Sequence, residues 1–260
     1  MTTWPQGYIL DRKYRIIELL PEGERKYYEI YLAQELPPPR HKVIVKRLRP
    51  DLDKAVVETL RQSFIQEITA LRRIHHQFVL RIIDHGVGDE YYFVAEYANE
   101  GSLQRYPPDK PNRKMKPFEA LEIALCVCQG LEAIHARGIV HGDIKPGNIL
   151  LFRLEEDVTA KLTAKLGDFS LAQIPNRESE TPPVDIPGGD FTFAYAPPEQ
   201  FTGGPVDARS DIFSWALLFY EMLTGEPIIA SPLAAFSRLS RSDDVFIEFF
   251  IKRGGASGAG

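Results

Sequence analysis

The segment Ile139–Leu151 constrains this chain more than any other. Apolar residues flank a short polar stretch in which Asp143, Lys145 and Asn148 stand two and three residues apart. Pro146 and Gly147 between them forbid a regular helix or a central strand. Three chemically competent side chains therefore project from a tight loop between two strand-like apolar runs. An acid suits proton acceptance, an ammonium suits charge neutralisation, and an amide oxygen suits metal coordination. A lone Asp or Asn here would be ordinary turn chemistry. The constellation, joined by Asp168 in a second polar break downstream, points to a chemical site.

Around that loop the chain has material for one large domain or two lobes. Its 260 residues are 44% apolar, enough for a sizeable core. A net charge of −5 gives no general attraction to nucleic acid or anionic membrane. No apolar run approaches the roughly 20 residues of a membrane span, and the start Met-Thr-Thr-Trp-Pro lacks the regions of a signal peptide. Cys126 and Cys128 point to different faces of a helical pattern, neither a disulfide framework nor a metal site. A reducing cytoplasm is the expected setting.

The rest of the chain alternates between strand and helix patterns. Tyr14–Leu20 and Tyr27–Ala33 read as paired strands joined by Pro21–Lys26. Lys42–Leu48 alternates as a strand with Ile44, Lys46 and Leu48 on one face. Val57, Leu60, Phe64, Leu71 and Ile74 fall at helical spacing, and Glu67 sits inside that apolar stripe. An unpaired charge there is costly. Lys46 is its economical partner, as an ordinary structural ion pair or as part of a site. Arg81–Gly88 and Tyr91–Tyr97 form a second strand pair. A long helix starts at Pro117 and stops near Gly138, with Leu121, Leu125, Cys128, Leu131 and His135 expected on its apolar stripe. Ile174–Asp190 has little to bury. Asp211–Thr224 is apolar nearly all round and is expected to be the buried centre of its lobe.

His141–Gly–Asp–Ile–Lys–Pro–Gly–Asn148 resembles the catalytic loop of protein kinases. It is closest to the variant common in bacterial Ser/Thr kinases similar to eukaryotic ones, in which Gly replaces Arg. The likeness runs, with gaps, from about Tyr14 to Gly225. It implies an α+β, bilobal protein-kinase-like fold: a small antiparallel β-sheet N-lobe over residues 1–97 and a mainly helical C-lobe over 98–253, while the composition of 254–260 reads as a flexible tail. ATP and Mg2+ are the implied cofactors, and γ-phosphoryl transfer to a Ser or Thr of a protein substrate is the implied reaction. By the same resemblance Asp143 orients the acceptor hydroxyl, Lys145 neutralises the moving phosphoryl group, and Asn148 and Asp168 hold Mg2+. Lys46, fixed by Glu67, grips the phosphates. Leu20, Gly23, Ile30, Ile44 and Leu150 line the ATP site, with the backbone of Glu96 and Ala98 on adenine and Ser102 near the ribose. His141 supports the loop, and Thr192 and Tyr195 fall in the segment that positions a peptide, ending at Pro197–Pro–Glu199.

Several positions depart from the family's pattern. Only Gly23 remains of three expected glycines, and Pro21 removes an N–H donor; ATP held more weakly or differently is the expectation. Ile44 stands over adenine where alanine is usual, and Ala95 stands behind it, so the pocket is expected to be filled from above and opened at the back. Ser170 replaces the glycine after Asp168 and Phe169, which narrows the backbone's choices. Gly142 leaves no loop arginine for an activating phosphate, so activity is expected to be independent of activation-loop phosphorylation. About 35 residues follow Gly225, fewer than the closing helices need. That implies an exposed apolar surface or a partner covering it. Two other readings stay open: a pseudokinase acting as a nucleotide-binding or scaffold module, and a small-molecule phosphotransferase, against which the Thr192–Glu199 segment speaks.

Overall fold

The computed structural model describes residues 3–20, 27–37, 40–88, 90–106, 114–153, 161–170, 172, 194–202 and 204–228. The first part is a six-stranded sheet of β1 (Ile9–Leu10), β2 (Tyr14–Leu19), β3 (Tyr28–Glu35), β4 (Lys42–Leu48), β5 (Ile82–Gly86) and β6 (Tyr92–Glu96), in spatial order β1-β2-β3-β4-β6-β5. Every pairing in it is antiparallel. One helix, α1 (Lys54–Arg73), crosses its inner face. Phe64 of α1 meets Tyr28 and Phe93 of the sheet with ring centroids 6.0 and 5.5 Å away.

The outer face of β4 is buried as well, which the alternation in the sequence did not anticipate. Val43 and Val45 pack with Trp4, Tyr31, Tyr92 and Val94 in a second core. Arg47 shares that face and is 1% exposed. Its guanidinium pairs with Glu29 at 3.1 Å and Glu90 at 2.5 Å, and lies 4.2 Å from the Trp4 ring centroid. Glu29 stands directly across the β3–β4 register from Arg47. It also accepts from Tyr31 Oη at 2.6 Å and from Thr3 Oγ1 at 3.1 Å. The N-terminal segment is therefore the lid that makes a charged strand face tolerable. Trp4→Ala is expected to cost about 3 kcal/mol, in the range for a buried aromatic truncated to alanine, read as a lower urea midpoint.

Tyr28 and Tyr31 give the sheet a signature at alkaline pH. Burial pushes both hydroxyls from the ordinary 10.0 up to about 12. The fold thus keeps protons that the unfolded chain releases. Stability is full below pH 10 and is lost as the pH rises from there to about 12. Tyrosinate absorbance should rise together with loss of secondary structure; ionisation of all tyrosines near pH 10 with the fold intact contradicts this.

The second part is built on α2 (Pro117–His135), the hairpin β7 (Ile149–Phe152) and β8 (Thr163–Leu166), the short α3 (Pro198–Thr202) and α4 (Ala208–Thr224). α2 buries only part of the expected stripe: Leu131 is buried, but the face is turned away from Leu121 and Leu125. Leu121 and Leu125 are 46% and 52% exposed, while Ala120, Ile123, Ala124, Val127, Gly130, Leu131 and Ile134 are buried. Small residues decide this. A Cβ at Gly130 would stand 2.8 Å from the Phe78 carbonyl oxygen and 2.9 Å from Leu166 Cδ1. Only the face carrying Ala120, Ala124 and Gly130 lets other backbone approach that closely. The indole N–H of Trp215 donates to the Ala124 carbonyl at 3.2 Å and fixes α4 against the same helix.

α4 also differs from its expectation. An Asp207–Ser210 capping box starts it, and Gly225, at φ +84°, ends it. Ile212 is 46% exposed, and the buried face carries Ser210, Asp211, Ser214 and Glu221 beside Leu217, Leu218 and Met222. The buried polar groups are engaged by the loops that α4 supports.

Candidate active site

The loop after α2 is fixed from below by one carboxylate. Asp211, 1% exposed in the first turn of α4, accepts the backbone N–H of His141 and of Gly142 at 2.8 Å each. Its Oδ2 also lies 2.7 Å from His135 Nε2. A helix N-terminus favours that charge. Gly142 takes φ +76°, a conformation that a glycine adopts without strain. Its carbonyl receives the Gln200 side-chain amide at 2.8 Å. His141 is fully buried, sends Nε2 to the Gly167 carbonyl at 3.0 Å, and packs its ring 4.6 Å from that of Phe169. It is structural, as its position implied.

A 3-10 turn at Pro146–Asn148 then folds three polar side chains together. Lys145 Nζ lies 2.7 Å from Asp143 Oδ2. The Asn148 amide nitrogen donates to the Asp143 carbonyl at 2.8 Å and to its Oδ2 at 2.9 Å. Both bonds use the amide nitrogen of Asn148, not its oxygen. Gly167 N–H donates to the Asn148 carbonyl at 2.9 Å, which ties this group to Asp168. Asp168 has φ +58°. Left-handed backbone at a non-glycine residue is strained, and such strain gathers at functional positions.

Asp168 leads to the second group. Lys46 Nζ bridges Glu67, at 2.8 and 3.0 Å, and Asp168 Oδ1, at 3.3 Å. Both carboxylates keep the ammonium charged: burial alone lowers the Lys46 pKa, and the attraction of Asp168 and Glu67 outweighs it and raises it. Glu67, 1% exposed, is pushed up by burial and held against that push by Lys46 and by the Phe169 backbone N–H. Carboxylates from a helix and a loop therefore meet at one strand ammonium. A lone buried lysine there would be far costlier than this triad.

Tyr28 lies on the same face of β3 as Ile30. Its ring centroid is 4.7 Å from Lys46 Nζ and its side chain is 9% exposed. Among the described residues its hydroxyl is the buried side-chain oxygen that finds no hydrogen-bond partner. A buried hydroxyl left unsatisfied costs about 1–3 kcal/mol.

The described residues expected around a nucleotide fall just after β2, on β3 and β4, at the end of β6 and on the segment after it, and on β7. Leu20 N–H donates to the Ile30 carbonyl at 2.9 Å, Ile30 pairs across from Lys46, and Ile44 pairs across from Ala95. Ser102 and Leu150 face each other in an isolated bridge. Ala98 receives Gly101 N–H on its carbonyl at 3.0 Å. Glu96 uses its side chain to take the Arg81 backbone N–H at 2.9 Å and Lys165 Nζ at 2.6 Å, an engagement the sequence did not suggest. Ala95 is 1% exposed and belongs to the main core with Phe64 and Phe93. Gly23, Pro21 and Thr192 lie outside the described residues. Glu199 accepts the Ser210 hydroxyl, and Tyr195 donates to Glu221 of α4.

Sequence reasoning missed Asp211, Gln200, Arg47 and Tyr28. An acid inside an apolar helix was a usable signal for Asp211. An inward-facing tyrosine next to Ile30 was one for Tyr28. Gln200 carried none, because its partner is a backbone carbonyl.

A curled antiparallel sheet with a helix-bound lysine, set beside a helix-supported polar loop, is the build of a protein kinase domain. Residues 28–242 match the protein kinase domain family, and the chain belongs to it. The serine/threonine-protein kinase pkn2 of Myxococcus xanthus is 32% identical over 171 residues, covering 65% of this chain and 19% of that protein. Serine/threonine-protein kinase C of Synechocystis is 33% identical over 148 residues, covering 55% of this chain and 27% of its own. The chain thus spans about a fifth to a quarter of these relatives' length. The PknI kinase domain of Mycobacterium tuberculosis has the same fold, with a TM-score of 0.62 at 23% identity over 87% of this chain and 78% of the other.

Proposed function

We propose that this chain is a serine/threonine protein kinase, transferring the γ-phosphoryl group of Mg·ATP to a hydroxyl of a protein. The observation that carries the reading is the Lys46–Glu67–Asp168 triad, joined through the Gly167–Asn148 backbone bond to the Asp143–Lys145–Asn148 group. That arrangement supports a reading in which a fixed cation, an acid and two oxygens able to bind a metal serve one nucleotide.

In this reading Lys46 holds the α/β-phosphates and Glu67 holds Lys46. Asp143 orients the acceptor hydroxyl and takes its proton, with Asn148 fixing the carboxylate and Lys145 offsetting charge on the transferred group. Magnesium fits the residues present: the Asn148 oxygen and the Asp168 carboxylate are hard oxygen donors, the type that binds Mg2+ beside substrate phosphates. Asn148 and Asp168 would hold the ion together with oxygens of the bound nucleotide. Bound Mg2+ supplies charge neutralisation on the phosphates. Leu20, Gly23, Ile30, Ile44 and Leu150 enclose the base, Glu96 and Ala98 offer it backbone groups, Ser102 lies by the ribose, and Thr192 belongs to the peptide-positioning segment.

We assign residues 1–97 to the sheet lobe, 98–253 to the helical lobe and 254–260 to a tail. No helix of the described residues is long and apolar enough to cross a membrane, and the free Cys126 and Cys128 suit a reducing cytoplasm. A second reading, a nucleotide-binding module without transferase activity, is favoured by the Tyr28 ring over Lys46 and by the sparse glycines before it. Incubation with labelled ATP, Mg2+ and a generic basic protein separates the two. Label recovered as phosphoserine or phosphothreonine is the expected result. Nucleotide binding without any transfer supports the second reading instead.

A further inference from the structure

We propose that the Tyr28 hydroxyl is a phosphate-binding donor, which hydrogen-bonds the phosphate chain of the nucleotide gripped by Lys46. The inference rests on the proposal that this cleft takes Mg·ATP. Its starting point is an imbalance in the fold. Stacking on Phe64 at 6.0 Å and covering Lys46 at 4.7 Å need only an aromatic ring, which phenylalanine would supply without burying a polar atom. The hydroxyl is buried, and no described residue answers it. Native interiors rarely leave such a group unmatched, so the missing partner is sought outside the protein.

The surroundings define the chemistry of that partner. Lys46 is a fixed cation beside the ring, and an anion entering to meet Lys46 arrives next to Tyr28. Burial holds the phenol up to about 12, so at neutral pH it is protonated and donates. The partner is therefore an anionic acceptor, and in this cleft that is a phosphate oxygen. The sequence shows why such a donor is useful. Tyr28 follows directly on the hairpin in which Pro21 lacks an N–H and Gly23 alone remains of the small residues that let backbone amides approach phosphates. A side-chain donor on the adjoining strand supplies a contact for which Pro21 has no N–H.

The test is calorimetric titration of ATP, ADP, adenosine and inorganic phosphate, with Mg2+ present, into wild type, Tyr28→Phe and Tyr28→Ala. Tyr28→Phe keeps the stacked ring and removes the orphaned oxygen, so the ligand-free protein should melt at the same temperature or higher. Its affinity for ATP and ADP should fall about tenfold, as for loss of one hydrogen bond to a charged group. Adenosine should bind unchanged. Inorganic phosphate separates a free-anion site from a nucleotide site: weakening confined to ATP and ADP places the donor on the nucleotide's phosphates. Unchanged ATP affinity in Tyr28→Phe, or an equal loss for adenosine, overturns the inference while leaving the kinase reading standing. Tighter ATP binding by Tyr28→Ala also overturns it, because the ring is then an obstruction. Wild-type protein that binds neither ATP nor ADP removes the kinase reading, and this inference with it.

Discussion

Asp143→Ala is expected to lower kcat by about 10²- to 10⁴-fold, the usual contribution of a positioned acid–base group. The affinity for Mg·ATP should be nearly unchanged. The reasoning is geometric. Asp143 is held by Asn148 and Lys145, and its backbone neighbours are held by Asp211, so alanine removes the carboxylate and leaves the loop's frame in place. In the proposed function the nucleotide is held instead by Lys46 and the strands around it. Fluorescent-nucleotide titration beside steady-state kinetics reads both quantities. Parallel loss of ATP affinity and turnover argues against the role given to this acid.

Glu67→Gln is the second large effect, and its two consequences separate. The side chain keeps its volume but loses the charge that holds Lys46. Removing one partner of a buried ion pair costs about 3–5 kcal/mol when the other is stranded. Here Lys46 retains Asp168 at 3.3 Å, so the expected loss is smaller, about 2 kcal/mol. Activity should suffer more. A lysine drawn toward Asp168 no longer stands where the phosphates need it, and a misplacement on the order of 1 Å is worth about 10²-fold in kcat/KM. Thermal melts and kcat/KM for ATP provide the check. A variant with near wild-type efficiency means that Lys46 is placed by something other than Glu67.

The parts legible in the sequence share a physical trait. Asp143, Lys145 and Asn148 lie within one turn of each other, so spacing alone put them together. Glu67 betrayed itself as a charge in an apolar stripe, and the nearest inward lysine was its partner at 2.8 Å. What stayed hidden depended on matches between distant segments. Arg47 sits one residue after Lys46 and faces the opposite way, into a pocket made by Glu29, Glu90 and Trp4. Nothing in the strand itself announces that pocket. α2 has aliphatic side chains on more than one side, and its buried face is set by how closely Phe78 and Leu166 approach Gly130. Asp211 serves the backbone amides of His141 and Gly142, groups every residue carries, and its side-chain partner His135 lies 76 residues away on another helix.

Gly142 links the site to regulation. With no arginine there, its N–H is held by Asp211 and its carbonyl by Gln200, both without a phosphate. That is the physical basis for expecting the same turnover before and after phosphatase treatment. The Gln200 bond also ties α3 to the loop that carries Asp143.

The most direct measurement is a crystal structure of the chain with Mg2+ and a non-hydrolysable ATP analogue. The account predicts the phosphate tail against Lys46, with the metal between the tail and the oxygens of Asn148 and Asp168, and Asp143 open to an incoming hydroxyl. An analogue bound away from Lys46, or a metal that neither Asn148 nor Asp168 touches, contradicts it.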